Sequence, residues 1–203
     1  MPYTHRYFVL NKPYQMVSQF KSPDRVRLLG ELDFQFPEGT HAIGRLDNHS
    51  EGLLLLTTDK RVTKLLFESE RPHKRTYLVQ VKNIMTTGTL EQLKNGVSIR
   101  IEAGNDYLAR PESALLVTPP KGLSPLRAGY REDIPQSWLE ITLTEGKYHQ
   151  VRKMVAALGH RCKRLIRIAI EDIYLGDLAP GAVRELPATD FFRLLKIDHS
   201  DRS

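Results

Sequence analysis

The chain has 203 residues, 40% of them hydrophobic and 27% charged, which suits one ordinary globular domain and excludes a disordered tail. Its longest purely aliphatic run, residues 53–56, is far shorter than the roughly 20 apolar residues of a membrane helix, and we expect no secretory signal. The single cysteine, Cys162, excludes an internal disulfide and a cysteine-based zinc cluster. A reducing, cytoplasmic compartment is therefore expected.

The formal net charge of +6 and the pI of about 9.4 favour a polyanionic partner. Basic residues are concentrated in two segments. Residues 147–167 hold seven lysines and arginines and no acidic residue, and residues 60–82 hold seven more against two glutamates. The alternative is that both segments are solvated surface faces, and of the two interpretations a nucleic-acid partner is favoured.

Hydrophobic periodicity and turn residues predict the elements in chain order. Strands are predicted over residues 6–11, 53–58, 76–81, 97–101, 107–117, 138–143, 165–175 and 183–186, and helices over residues 60–68, 89–94, 147–158 and 191–195. Residues 12–41 and 118–136 are rich in proline and glycine and are expected to be loops.

The predicted helix over residues 147–158 is amphipathic. Its spacing is expected to turn one set of side chains to the core and a second set to the opposite side. The core set is Tyr148, Val151, Val155 and Leu158, and the opposite set is His149, Arg152 and Lys153.

Strands outnumber helices and do not alternate regularly with them, which predicts an α+β fold with a largely antiparallel sheet. No linker rich in proline, glycine and serine separates two domains. We therefore expect a single domain over residues 1–203, which could divide into two lobes.

Common cofactor motifs are absent from the sequence. It has neither a phosphate-binding loop nor a dinucleotide fingerprint, and its histidines form no His-x-x-x-His pair. Ser50 does not lie in a nucleophile elbow. We expect no nucleotide cofactor and no metal site.

The most informative segment is residues 41–59. A polar loop bounded by glycines places Arg45 and Asp47 just before a buried strand, a common way to hold reactive side chains on a rigid scaffold. The alternative for Asp47 is a purely structural Asx turn.

Five segments in order resemble the RsuA family of ribosomal RNA pseudouridine synthases. They are Leu10-Asn11-Lys12-Pro13-Tyr14-Gln15-Met16-Val17-Ser18, Gly44-Arg45-Leu46-Asp47-x-x-Ser50-Glu51-Gly52-Leu53-Leu54-Leu55-Leu56-Thr57, Lys74-Arg75-Thr76-Tyr77, Gly146-Lys147-Tyr148-His149-Gln150-Val151-Arg152-Lys153-Met154 and Leu178-Ala179-Pro180-Gly181-x-x-Arg184-Glu185-Leu186. The resemblance implies the pseudouridine synthase fold, a mixed sheet with flanking helices and an RNA-binding cleft. Many relatives carry a preceding S4-type RNA-binding domain, which we do not expect here because the first motif begins so early.

The resemblance also implies the chemistry, which is cofactor-free conversion of uridine to pseudouridine in ribosomal RNA, favouring that of the large subunit, with base flipping. Asp47 would be the essential carboxylate, acting either as nucleophile or as base. Tyr77 would pack against the flipped uracil, its alternative being a plain core tyrosine. Arg152 would hold Asp47 ionised and oriented, its alternative being a solvent-facing helix arginine.

Several basic residues are implied or expected to contact the RNA. They are Arg45, Lys74, Arg75, Lys147, His149 and Lys153. Arg45 has the alternative of a loop salt bridge with Glu51. Asn11 and Lys12 are expected near the cleft. We expect the protein to be a monomer with no membrane partner.

Two other functions would share the same basic segments. A non-catalytic RNA-binding factor for ribosome assembly would have no need for a carboxylate facing a polyanion, so Asp47 discriminates between the two. A hydrolase that cleaves the glycosidic bond without rejoining it usually needs a second carboxylic acid.

Overall fold

The computed structural model describes residues 5–67, 71–101, 104–118, 120–123 and 134–197. Its strands are β1 (Tyr7–Lys12), β2 (His41–Ala42), β3 (Glu51–Thr57), β4 (Arg75–Lys82), β5 (Val97–Arg100), β6 (Asp106–Ala109), β7 (Ser113–Val117), β8 (Gln136–Leu143), β9 (Cys162–Ile170), β10 (Ile173–Tyr174) and β11 (Val183–Leu186). Its helices are α1 (Arg61–Phe67), α2 (Thr87–Asn95), α3 (Gln150–Ala157) and α4 (Ala188–Leu195), and a short 3₁₀ helix covers Leu29–Glu31. In the described part of the chain, no helix has the length and apolar character needed to cross a membrane.

The chain divides into two compact units, the first made of Met1–His73 with Arg167–Ser203 and the second of Lys74–Ile166. In the first unit, β1 lies between β3 and β11 and pairs antiparallel with both. All residues of β1 and β3 are buried. Because successive side chains of a strand point to opposite faces of the sheet, both faces of these two strands are covered. The ring of Tyr7 packs against Phe191 and Phe192 of α4 at 4.6 and 5.3 Å between centroids.

The second unit is built on β4 and β8, which pair antiparallel over their full eight residues. Strand β7 pairs with the other edge of β8, and β5 and β6 form a separate hairpin. Aliphatic side chains from these strands and from α2 and α3 form one core, which includes Val79, Leu139 and Val155. Helix α2 begins where the Thr86 hydroxyl accepts the Thr89 N–H at 3.1 Å, and it ends at Gly96.

The predicted α+β fold is confirmed, with differences in several elements. Residues 107–117 form parts of two strands, residues 165–175 are divided between β9 and β10, and β9 begins three residues before the predicted strand. Helices α2 and α4 begin two and three residues earlier than predicted, whereas α3 begins at Gln150 instead of residue 147. The later start of α3 corrects the prediction for Tyr148, whose side chain is 60% exposed. Of the predicted loop over residues 118–136, residues 119 and 124–133 lie outside the described part, and β8 already begins at Gln136.

Candidate active site

Asp47 lies in the first unit, half-buried in the loop between β2 and β3. Its carbonyl oxygen accepts the Ser50 N–H at 2.9 Å, so the chain turns tightly back toward β3. The carbonyl of the next residue, Asn48, accepts the Gln15 N–H at 2.8 Å. Two backbone hydrogen bonds therefore hold the turn at Asp47 and Asn48, directly before the buried strand β3.

Ser18 fixes the same loop from the segment that follows β1. Its buried hydroxyl donates to the Leu46 carbonyl at 2.8 Å and accepts the Leu46 N–H at 3.0 Å. Both backbone groups of the residue before Asp47 are thus satisfied by one side chain. No motif marks Ser18 in the sequence beyond its place at the end of the segment over residues 10–18.

Gly44 starts this loop in a conformation that requires glycine. Its φ is +72°, and a Cβ at this position would lie 2.6 Å from Cζ of Phe67. A side chain would be strained by the backbone and would also clash with the Phe67 ring. The glycine therefore sets the direction in which the loop leaves β2.

Lys12 is the least expected feature of the first unit, because its side chain is fully buried. Its ammonium donates to the carbonyls of Pro13 at 3.0 Å and Met16 at 2.6 Å. Burial lowers the pKa of Lys12 to about 7, partly offset by the negative charges of Glu51 and Asp47. Lys12 is therefore electrostatically coupled to the predicted catalytic carboxylate within the same unit.

Tyr77 and Arg152 both lie in the second unit. Tyr77 is on β4, opposite Ile141 of β8, and its half-buried ring packs against the core. Arg152 is half-buried on α3, where its guanidinium donates to the Cys162 sulfur at 3.6 Å. Burial raises the pKa of the Cys162 thiol, so this sulfur is a neutral acceptor.

The structure brings together most of the basic residues predicted to contact RNA. Lys147 and His149 lie in the turn before α3, Lys153 follows within the helix, and the Arg75 guanidinium lies beside Gly146. Lys74 is exposed but forms an ion pair with Glu112 at 2.8 Å. The second unit has 15 lysines and arginines against 8 acidic residues, and the first has 15 against 16. The net charges are thus +7 and −1, so the excess of basic charge belongs to the second unit.

Arg45 is exposed beside Asp47 in the first unit. In the part of the chain that the structure describes, no group of three or more His, Cys, Asp or Glu side chains is placed to hold a metal ion. The chemistry that the described groups can offer is that of a carboxylate, an amine, aromatic rings and guanidinium groups.

Residues 6–157 match the family model described as RNA pseudouridylate synthase. A ribosomal large subunit pseudouridine synthase E from Xanthomonas axonopodis pv. citri (strain 306) is 39% identical over 176 residues, which is 85% of this chain and 89% of that protein. A ribosomal small subunit pseudouridine synthase A from Escherichia coli (strain K12) is 34% identical over 182 residues, 89% of this chain and 70% of its own length.

A solved structure described as a pseudouridylate synthase matches with a TM-score of 0.73 and 28% identity. It covers 94% of this chain, which corresponds to 74% of the other chain. The fold implied by the sequence resemblance is thereby confirmed. The family match covers well over half of the chain and includes Asp47, Tyr77 and Arg152. The chain therefore belongs to the RNA pseudouridylate synthase family, in the RsuA group that the five sequence segments indicate.

Proposed function

We propose that the protein converts a specific uridine to pseudouridine in large-subunit, 23S ribosomal RNA. In this isomerisation the N1–C1′ glycosidic bond breaks, the uracil turns, and a C5–C1′ bond forms. The C5 proton leaves and N1 takes up a proton, so the reaction needs no redox cofactor and no second substrate. Relatives named as large-subunit synthases from Xanthomonas and Vibrio support the choice of subunit.

The observation that carries the proposal is the Asp47 loop. A carboxylate facing a polyanion is unfavourable for simple RNA binding, yet Ser18 and Gly44 hold the backbone around Asp47 in one arrangement. Asp47 serves as the nucleophile or the base that initiates cleavage of the glycosidic bond. The target nucleotide is flipped out of its stack, since the bond to be broken is otherwise inaccessible.

Two further residues take roles that the family resemblance implies. Tyr77 packs against the flipped uracil, and its half-buried ring on a rigid strand supports that role. Arg152 keeps the catalytic carboxylate ionised and oriented. The basic side chains Arg45, Lys74, Arg75, Lys147, His149 and Lys153 contact the RNA backbone.

The experiment is tritium release from transcripts labelled with [5-³H]uridine, because C5 loses its hydrogen only when the new carbon–carbon bond forms. Large- and small-subunit transcripts are incubated separately with the full chain, and RNA binding is followed in parallel. We expect release from the large-subunit transcript at about one uridine per molecule and none from the small-subunit transcript. Release from the small-subunit transcript alone would contradict the proposed subunit.

The same experiment separates the enzyme from a ribosome-assembly factor. A non-catalytic factor would bind RNA tightly but release no tritium from any transcript or partly assembled particle. A glycosidic hydrolase would free uracil without forming pseudouridine, which nucleoside analysis of the product distinguishes. Either result would contradict the proposed reaction.

A further inference from the structure

Tyr148 stands out because it is a large aromatic side chain on the surface of the basic second unit. It lies in the turn between β8 and α3 with 60% of its surface exposed. Gln150 shapes this turn, since its side-chain oxygen accepts the Lys147 N–H at 2.9 Å and its nitrogen donates to Glu145 at 2.7 Å. His149 then takes a left-handed φ of 53°, so the helix starts only after it. Tyr148 is left outside the helix and away from the core.

The Tyr148 ring contacts two neighbouring side chains even though it is exposed. The His149 ring stacks on one face, with centroids 3.9 Å apart and planes 15° from parallel. The Lys153 ammonium lies 5.4 Å from the centroid and is itself anchored by a 2.8 Å bond to the Arg100 carbonyl. A ring held in one orientation loses little conformational freedom when a second flat group stacks on it.

The charges around the Tyr148 ring indicate which kind of ligand group would stack on it. Lys147 and Lys153 flank the ring in sequence, and residues 147–167 contain no acidic residue. The nearest carboxylate in the sequence, Glu145, accepts hydrogen bonds from Tyr107 and Gln150. An aromatic face among cations suits a nucleobase whose phosphates lie on the lysines.

We propose that Tyr148 is a stacking platform for an unpaired nucleobase of the substrate RNA other than the target uridine. The reacting base needs a pocket that encloses it, whereas Tyr148 lies on an open turn. Tyr148 is thus a binding residue, not a catalytic one: it holds a neighbouring base of the RNA and so orients the RNA on the protein. The inference rests on the proposed function for the identity of the RNA.

Tyr148→Leu and Tyr148→Phe test the proposal, with Tyr174→Leu as a matched control because Tyr174 is 63% exposed in the other unit. Binding to the large-subunit transcript is measured by fluorescence anisotropy over a range of salt concentrations. Tyr148→Leu should weaken binding by about 5- to 100-fold, the range measured for loss of one base–aromatic stack. Tyr148→Phe should bind within about two-fold of wild type, since stacking needs the ring and not the hydroxyl. Tyr174→Leu should also bind within about two-fold of wild type, because its ring is not the proposed platform.

The salt dependence distinguishes stacking from charge. Tyr148→Leu should leave the slope of log Kd against log salt unchanged, because no phosphate contact is lost. Equal affinity of Tyr148→Leu and wild type, or an equal loss in Tyr148→Phe, would overturn the proposal. Binding is read without reference to turnover, so absence of tritium release would refute the proposed reaction and leave this result standing.

A second measurement uses the wild-type chain and so does not depend on the folding of a variant. Short-wavelength ultraviolet irradiation of the complex with unmodified transcript crosslinks bases of every type to the side chains that they touch. We expect a crosslink at Tyr148 to a nucleotide other than the uridine that is converted to pseudouridine. Crosslinks that map elsewhere and leave Tyr148 unmodified would overturn the assignment.

Discussion

Lys12 is a buried residue of the scaffold whose charge also acts on the predicted catalytic carboxylate, Asp47. Its ammonium has no exposed surface and, among the residues that the structure describes, two carbonyl acceptors, so the charged form is poorly compensated. Burial is the main cause of its lowered pKa, and Arg167, whose Nε donates to the Leu53 carbonyl at 2.7 Å, adds repulsion. The position next to a proline predicts an extended backbone at Lys12 but gives no sign that its amine is buried.

The lowered pKa of Lys12 makes stability depend on pH in a defined direction. The pKa is about 7 in the folded chain against an ordinary value of 10.5, so the unfolded chain binds more protons between these values. The cost of burying the charge is complete below pH 7 and is relieved as the pH rises. The free energy of unfolding of wild type relative to Lys12→Met should therefore increase by about 1.4 kcal/mol per pH unit above pH 7.

Urea unfolding of both chains at pH 7, 8 and 9 measures this difference, in which all other titrating groups cancel. Lys60→Met is the control, because Lys60 is exposed in the same unit. Its difference from wild type should stay constant. Parallel pH profiles for wild type and Lys12→Met would contradict a buried amine with a lowered pKa.

At the scale of elements, the loop between β2 and β3 depends on a residue distant in sequence. Ser18→Ala removes both hydrogen bonds to Leu46 and should destabilise the chain by about 1–3 kcal/mol. Since the loop would also lose its fixed position, kcat should fall about 10- to 100-fold while RNA affinity stays within about two-fold.

The Ser18 prediction is measured by urea unfolding and by single-turnover tritium release. Ser98→Ala, at an exposed position of β5, should match wild type in both. A Ser18→Ala chain with wild-type kcat would show that this serine has no part in positioning Asp47.

Local signals predicted some elements and failed on others for physical reasons. The strand predicted over residues 183–186 matches the bounds of β11, and Gly96 correctly marks the end of α2. The apolar spacing of Tyr148 with Val151 and Val155 also fits a helix, but the Gln150 side chain and the left-handed His149 delay the start of the helix to Gln150. Periodicity detects which residues could share a helix face, not the hydrogen bonds that start the helix.

At the scale of the whole molecule, no linker-like stretch in the sequence marks the boundaries between the two units. The first unit takes both ends of the described chain, with β1 paired to β11. The second boundary falls between Ile166 and Arg167, inside β9, where no glycine or proline marks a linker. Pairing between strands that are distant in sequence decides this division. For the site, the five segments that resemble the RsuA family predict more than any local hydrophobic pattern does.

The distribution of net charge over the two units, +7 in the second and −1 in the first, predicts where salt dependence arises. Lys147→Ala should lower the magnitude of the slope of log K against log salt by about 0.7–0.9. Lys74→Ala should lower it less, because the ion pair with Glu112 already neutralises part of that charge. Lys60→Ala in the first unit should leave the slope as in wild type.

Fluorescence anisotropy with the large-subunit transcript between 50 and about 300 mM salt measures these slopes. Equal slopes for Lys147→Ala and wild type would show that this lysine does not contact phosphate. A larger effect of Lys74→Ala than of Lys147→Ala would contradict the ranking that the Glu112 ion pair implies.

The proposed isomerisation depends on the Asp47 carboxylate, and single-turnover tritium release with enzyme in excess tests that dependence most directly. Asp47→Asn is compared with Asp24→Asn, an exposed aspartate of the same unit, on the large-subunit transcript with Kd measured alongside. We predict no release by Asp47→Asn, wild-type release by Asp24→Asn, and RNA binding by both. Release by Asp47→Asn at the wild-type rate would contradict a carboxylate-dependent isomerisation.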